Sequence, residues 1–148
     1  QGRPRRHSRP SRQGPQAPGG LRPEEARVVA TGSAAATPLA AADYSAILAS
    51  PSRRRGAHFS LHWRASSEPR LGLVVSRKLS GSAVKRNLVK RHARALFRDS
   101  VAAAHAASRP GFDVVLRLTA GVKALQREAQ YVEMRALFGA LAQAGAAR

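Results

Sequence analysis

The segment KRNLVKRHARALFR, at residues 85–98, holds the side chains of this chain that are best suited to chemistry. Six of its fourteen positions are Lys or Arg, and none is acidic. Lys and Arg bind phosphate, and the planar Arg side chain can bind two phosphate oxygens at once. Without a partner, like charges one helical turn apart repel by roughly 0.2–0.5 kcal/mol per pair. A bound polyanion would remove that cost, so the segment predicts contact with a phosphate backbone.

The element that must position these charges is predicted to be a helix, because no Gly or Pro occurs between Ser82 and Ser100. On a helical wheel of about 100° per residue, the polar side chains of this segment fall within one arc of roughly 140°. The opposite arc is predicted to face the core and contains Val84, Leu88, Val89, Ala95 and Leu96. Phe97 is the exception, because the wheel places its ring among the arginines.

Groups that could break bonds or bind metal are sparse. His58 and His62 lie two residues apart, on one face of a predicted strand, but no third ligand for a metal is evident. The acids form no close carboxylate cluster of the kind that two-metal nucleases use. We therefore expect no catalytic residue, no metal site and no small-molecule substrate. The acids of the predicted domain and its edges are Asp43, Glu68, Asp99, Asp113, Glu128 and Glu133.

The composition indicates a partner of opposite charge. The 148 residues include 26 Lys or Arg and only 8 Asp or Glu, which gives a formal charge of +18. This imbalance predicts binding to a polyanion such as nucleic acid. The chain has no cysteine, which excludes a disulfide frame and a zinc knuckle and is typical of a reducing compartment. No apolar run approaches the ~20 residues of a membrane span, so we expect a cytoplasmic protein without a membrane partner.

The chain divides near residue 37. Residues 1–37 are predicted to be a disordered basic tail and linker, since the first part is rich in Arg, Pro and Gly and poor in apolar residues. Within it, residues 24–37 are expected to be linker or a short fraying helix. Residues 38–143 are predicted to be one domain, and residues 144–148 a frayed C-terminus.

The domain is predicted to be α+β, a two-layer sandwich of helices against one small mixed sheet. Alternating or branched apolar residues indicate three strands, and helical spacing indicates three helices. The first two strands are separated by the turn-like SSEP and are expected to pair as a hairpin. The order is α-β-β-α-β-α, over residues 39–50, 57–65, 70–78, 82–100, 111–120 and 126–143.

The basic helix and the strand before it carry a family resemblance. AVKRNLVKRHARALFR, preceded by RLGLVVSRKLSGS, resembles the arginine-asparagine-arginine signature of the bacterial ribonuclease P protein subunit. The resemblance covers roughly residues 38–142. It implies a left-handed βαβ crossover around the signature helix and a role as the accessory subunit of an endonuclease that removes the 5′ leader of precursor tRNA. It also implies that a catalytic RNA subunit cleaves the bond and holds the Mg²⁺, so that this RNA and precursor tRNA are the partners.

The resemblance assigns the basic helix face to the catalytic RNA. One position departs from the signature, because Leu88 stands where its second Arg is usual. Leu88 falls on the predicted apolar arc, so Arg91 or Arg94 is expected to carry more of the binding. The residues assigned to the RNA subunit are Arg86, Asn87, Lys90, Arg91, Arg94 and Arg98.

The resemblance also implies a cleft for the single-stranded leader, between the first helix and the sheet. Leu48 and His62 stand where the family often has aromatic residues, so base stacking is expected mainly from Tyr44. Thr119 stands where an Arg is frequent, and Arg117, two residues earlier on the same strand face, is expected to replace it. The residues assigned to the cleft are Tyr44, Leu48, His62, Ser76, Lys78 and Arg117.

Two other classes of protein share some of these features. A small basic ribosomal protein would have the same charge, tail and fold class, but it would stimulate no cleavage. A DNA-binding module could place the basic helix in a major groove. Asn87 beside Arg86 gives that alternative little support, and no heptad or dimer seam is visible in the sequence.

Overall fold

The computed structural model describes residues 26–28 and 38–144. Helices pack against one small mixed sheet, so the predicted α+β class is confirmed. The elements of the described residues are, in chain order, β1 (Ala26–Val28), α1 (Ala41–Leu48), β2 (Arg53–Arg55), β3 (Phe59–Ser66), β4 (Arg70–Val74), α2 (Arg77–Ser80), α3 (Ala83–Ala106), β5 (Gly111–Leu118) and α4 (Arg127–Ala144).

The sheet has the strand order β1-β4-β5-β3-β2. β4 and β5 are parallel, and all other neighbours are antiparallel. Parallel neighbours need a crossover connection, which α2 and α3 provide here. The left hand of this crossover stays a prediction from the resemblance.

The predicted hairpin between the first two long strands is wrong. β3 and β4 are not hydrogen-bonded to each other, because β5 lies between them and pairs with both. β5 contains four consecutive buried residues, Asp113–Leu116, and therefore needs a neighbour on each side. The short connection after Ser66 would allow a hairpin, but pairing both strands with β5 buries more of all three.

The first strand lies in the segment that was expected to be linker or a fraying helix. Ala26–Val28 instead pairs antiparallel with β4, with Val28 opposite Gly72. These three residues complete a sheet edge that β4 would otherwise leave open. The other residues of the predicted tail and linker, and residues 145–148 of the predicted frayed C-terminus, lie outside the described residues.

The two faces of the sheet have different coverings. α3 and α4 pack on one face, which we call the core face, and α1 packs on the other, which we call the cleft face. The larger apolar core lies on the core face and includes Phe59, Leu61, Leu71, Leu73, Val114, Leu116, Phe97, Met134 and Phe138. The smaller core, under α1, consists of Leu39, Tyr44, Ile47, Val74 and Val115.

α3 is rotated about its axis by about a third of a turn from the predicted orientation, at ~100° per residue. Val84 was expected to be buried and is 78% exposed, whereas Phe97 was expected among the arginines and is 1% exposed. Ala93 is fully buried, and its small side chain allows α3 to approach the sheet closely. The orientation that buries a whole Phe ring is favoured, because an aromatic side chain gains more from burial than Val84 does. Val89 and Leu96 are buried as predicted.

Candidate RNA-binding surfaces

The N-terminus of α3 is fixed by local hydrogen bonds. Ser82 caps the helix, its hydroxyl accepting a hydrogen bond from the backbone N–H of Lys85 at 3.2 Å. Gly81, just before it, has φ of +86°, in the left-handed region that favours glycine. Its missing side chain also leaves room for Lys123, since a Cβ there would lie 2.7 Å from Lys123 Cγ. This turn sets the direction in which the basic helix leaves the sheet.

The residues predicted to bind the RNA subunit share one side of α3 but differ in exposure. Asn87, Arg91 and Arg98 are exposed. Arg86 and Arg94 are half-buried, and Lys90 is only 8% exposed. Among the described residues, the four arginines of this set form no ion pair with an acid. The exposed side of α3 is therefore a cationic surface whose charge is not neutralised within the described domain. The assignment of these residues to the catalytic RNA stays a prediction.

The cleft face is organised in rows of side chains that cross the strands. Directly paired residues of antiparallel strands project on the same side of a sheet. Ser60 pairs with Arg117 on β5 and with Arg55 on β2, and we call these three the outer row. The middle row, one step along the strands, consists of Val115, His62 and Arg53.

Three residues predicted for the leader cleft lie near one end of the sheet. Val74, the last residue of β4, pairs with Arg117 of the outer row. Ser76 and Lys78 are two and four residues beyond Val74, so they lie near the same end of the sheet. Ser76 caps α2 by accepting a hydrogen bond from the backbone N–H of Leu79 at 3.2 Å. Lys78 and Arg117 are exposed, so their charges are available to a ligand.

Tyr44 has a different environment from the one that base stacking requires. Only 2% of its surface is exposed, so its ring cannot stack on a base in this conformation. The ring lies on Gly72, where an added Cβ would be 2.6 Å from Tyr44 Cε1. Burial raises the pKa of the phenol. Tyr44 therefore holds α1 on the sheet, and half-buried Leu48, one turn later, lies nearer the surface.

His62 forms part of the floor of the cleft face. It is 7% exposed, and its Nε2 lies 3.1 Å from the Ser60 hydroxyl oxygen. Burial lowers the pKa of His62, and the nearby charges of Arg53 and Arg117 lower it further. The imidazole is therefore neutral at pH 7, and the positive charge of this surface comes from the arginines around it.

An ion-pair network around the buried Asp113, which was not among the predicted site residues, closes the opposite end of the cleft face. Asp113 is 1% exposed and accepts hydrogen bonds from Arg70 Nε and Nη2, both at 2.7 Å, and from Arg64 Nε and Nη2 at 3.1 and 3.0 Å. Arg64 Nη2 also donates to Asp43 of α1 at 2.7 Å. The backbone N–H of Ala40, followed by Arg64, holds the pKa of Asp43 below its usual value. The network thus ties α1 to three strands.

The two histidines that were considered as a metal pair have separate partners. His58 Nδ1 lies 2.8 Å from a carboxylate oxygen of Glu133, and the backbone N–H of His58 donates to the other oxygen at 2.7 Å. His62 instead contacts Ser60. No group of three or more His, Cys, Asp or Glu residues that could hold a metal occurs in the described ranges. The expectation that the protein binds no metal of its own stays a prediction.

The sequence predicted that no segment spans a membrane. Among the helices that the structure describes, none has both the length and the apolar character needed to cross a bilayer. The cytoplasmic location stays a prediction.

The amino-acid sequence of the chain is similar to those of known proteins. The family model described as Ribonuclease P matches residues 39–142, which is more than half of the chain. The ribonuclease P protein component of Azoarcus sp. (strain BH72) is 39% identical over 103 residues, covering 68% of this chain and 82% of that relative. The ribonuclease P protein component of Ralstonia pickettii (strain 12J) is 43% identical over 58 residues, covering 38% and 41% of the two chains.

Two solved structures have a similar fold. The RNase P protein of Staphylococcus aureus has a TM-score of 0.56 at 22% identity and covers 70% of this chain and 92% of its own. The RNase P protein from Thermotoga maritima has a TM-score of 0.53 at 25% identity, with 69% and 90% covered. The fold and the family match agree, and the family match spans the cleft face and the basic helix. The chain therefore belongs to the ribonuclease P protein family.

Proposed function

We propose that this protein binds the catalytic RNA of ribonuclease P through the exposed basic side of α3 and holds the 5′ leader of precursor tRNA on the cleft face. The observation that carries the proposal is the charge of α3. Its exposed residues include Arg91 and Arg98, and neither forms an ion pair within the described domain. Such a surface gains stability when phosphate groups neutralise it.

Catalysis is assigned to the RNA subunit. When bound there, Mg²⁺ would supply the activation of the attacking water. The protein would contribute binding: its cations reduce the repulsion between two RNA molecules, and Lys78 and Arg117 contact leader phosphates beside the cleft. Tyr44 and the Asp113 network would act indirectly, by fixing α1 against the sheet. Half-buried Leu48 would provide an apolar contact at the cleft edge.

The α3 assignment is tested by charge reversal. The double variant Arg91→Glu/Arg98→Glu should bind the catalytic RNA more weakly than the unaltered chain. Each lost phosphate contact should reduce the slope of log affinity against log salt concentration by ~0.7–0.9, so the double variant should lose about 1.5. The matched control is Arg135→Glu, which reverses an exposed arginine on α4 instead. Filter binding at several salt concentrations gives both quantities.

Two results would contradict the assignment of α3 to the RNA. Unchanged affinity and slope in the double variant would mean that α3 does not face the RNA. Because Arg135→Glu reverses one charge and the double variant reverses two, half of the double variant's loss in this control would mean that total charge, rather than the α3 surface, determines binding. Circular dichroism of each variant establishes that the fold is intact.

A further inference from the structure

The edge strand β2 carries a charge that the proposed function does not use. Its three residues, Arg53, Arg54 and Arg55, are all exposed. None of the three forms an ion pair with an acid in the part of the chain that the structure describes. Three adjacent arginines on so short a strand repel one another, and β-propensity does not favour them there. Their presence requires a physical explanation.

The three arginines do not share one side of the sheet. Arg53 pairs with His62 and Arg55 pairs with Ser60, so both project on the cleft face. Arg54 pairs with Leu61, a fully buried residue of the larger core, and therefore projects on the core face. The strand thus presents two cations to the predicted leader cleft and one cation away from it.

The two cleft-side arginines continue the rows of the cleft. In the outer row, Arg55, Ser60 and Arg117 lie on three successive strands. Strands are about 4.8 Å apart, so the row extends about 10 Å from Arg117 to Arg55. Arg53 and Arg117 are both near enough to His62 to lower its pKa, after the larger effect of burial. Cations therefore lie on both sides of β3, with the uncharged Ser60 and His62 between them.

No acid within the described residues forms an ion pair with Arg53, Arg55 or Arg117. The two carboxylates bonded on the cleft side, Asp43 and Asp113, are occupied by Arg64 and Arg70 at the far end of the sheet. Charged residues on an edge strand can also serve only to prevent edge-to-edge pairing of sheets. That role would depend on the edge position alone and would not distinguish Arg54 from its two neighbours.

We propose that Arg53 and Arg55 bind phosphates of the leader strand beyond the nucleotides held at Arg117, so that β2 extends the leader site across the sheet edge. This inference rests on the proposed leader-binding function. A strand within a duplex carries one phosphate per ~3.4 Å of helix axis, and a single-stranded leader is more extended, so the row of about 10 Å spans at most about three nucleotides. The extension therefore contributes only when the leader is long enough to reach β2.

The test uses the full chain reconstituted with its catalytic RNA. Dissociation constants are measured for precursors whose leaders increase from one to ten nucleotides, at several salt concentrations. The variant Arg53→Gln/Arg55→Gln should bind long-leader precursors more weakly, and its salt slope should fall by about 1.4, at ~0.7 per single-strand phosphate. It should bind the one-nucleotide precursor as tightly as the unaltered complex does. Arg54→Gln, on the same strand but the opposite face, should bind every precursor as tightly as the unaltered complex does and keep the same dependence of affinity on leader length.

Four outcomes would overturn the inference. Equal losses for short and long leaders would place β2 against the catalytic RNA or the tRNA body. No loss of affinity at any leader length, or aggregation of the double variant alone, would mean that the arginines serve only to prevent edge-to-edge pairing of sheets. If the unaltered complex bound short and long leaders equally, the proposed leader-binding function itself would fail, and the extension with it. That last result is obtained with the unaltered complex, before any variant is made, so failure of the proposed function can be distinguished from failure of the β2 inference.

Discussion

The contact between Tyr44 and Gly72 predicts a stability effect whose sign depends on the partner. The variant Gly72→Ala would place a Cβ 2.6 Å from Tyr44 Cε1, 2.8 Å from Cζ and 2.9 Å from the hydroxyl oxygen. Carbon atoms in contact lie about 3.5–4.0 Å apart, so the ring would have to retreat by about 1 Å. Tyr44 is 2% exposed, and this movement must therefore displace α1 from the sheet.

The magnitude follows from two opposing terms. Overpacking a buried contact costs about 1–3 kcal/mol. Replacing a strand glycine with alanine gains roughly 0.5–1 kcal/mol, because the unfolded chain loses conformational freedom. The free energy of unfolding should fall by a net ~1–2 kcal/mol. At about 4–8 °C per kcal/mol for a domain of this size, Tm should fall by roughly 5–15 °C.

A double-mutant cycle isolates the clash. Leucine at position 44 lacks the Cε1, Cζ and hydroxyl atoms that approach Gly72, so in a Tyr44→Leu background the clash is absent. There, Gly72→Ala should be neutral or slightly stabilising, and the coupling energy between the sites should equal the overpacking cost alone, about 1–3 kcal/mol. Urea unfolding of the four proteins measures it. If Gly72→Ala destabilised both backgrounds equally, the described packing of Tyr44 on Gly72 would be incorrect.

Three further predictions concern other buried groups. Asp113→Asn should lower the free energy of unfolding by ~2–3 kcal/mol. This cost is somewhat smaller than that of breaking a fully buried ion pair, because the two arginines that contact Asp113 are partly exposed. A shift of the urea midpoint no larger than that of the exposed control Asp99→Asn would contradict this prediction. Phe97→Ala should lower the free energy of unfolding by about 3–5 kcal/mol, whereas Arg98→Ala should change it by no more than ~0.5 kcal/mol. The opposite ranking would support the orientation of α3 that the helical wheel predicts. The lowered pKa of His62 means that the unfolded chain binds a proton more readily than the folded one, so stability is lost as pH falls below about 6.5. His62→Gln should flatten this loss between pH 7 and 5 in thermal unfolding, and an unchanged profile would show that His62 is not its source.

The helices and the fold class could be predicted because their signals are local. Helical spacing, the absence of Gly and Pro, and the charge of the 85–98 segment are all read within a few turns of chain. The rotation of α3 could not be predicted in this way, because both of its possible faces contain apolar residues. Phe97 and Ala93 on one side compete with Val84 on the other, and packing against the sheet and α4 decides between them.

Strand pairing was missed for a related reason. The pairing of β5 with both β3 and β4 joins residues about 50 positions apart, and no local signal specifies it. β2 was overlooked because three arginines between Pro51 and Gly56 do not form an apolar alternation. The Asp113 network had one usable signal: an acid within the apolar strand FDVVL must be buried, and a buried carboxylate requires a cationic partner. Arg64 and Arg70, on the other two long strands, were the available candidates.

The proposed function requires that this chain bind the catalytic RNA of ribonuclease P and direct it to precursor tRNA. The most direct measurement is to purify the tagged full chain from its own cells in moderate salt and sequence the RNA that accompanies it. We expect one abundant, structured non-coding RNA whose complex removes the 5′ leader of precursor tRNA. Ribosomal RNA in its place, or mixed RNA that salt removes, would mean that the chain does not have the proposed function.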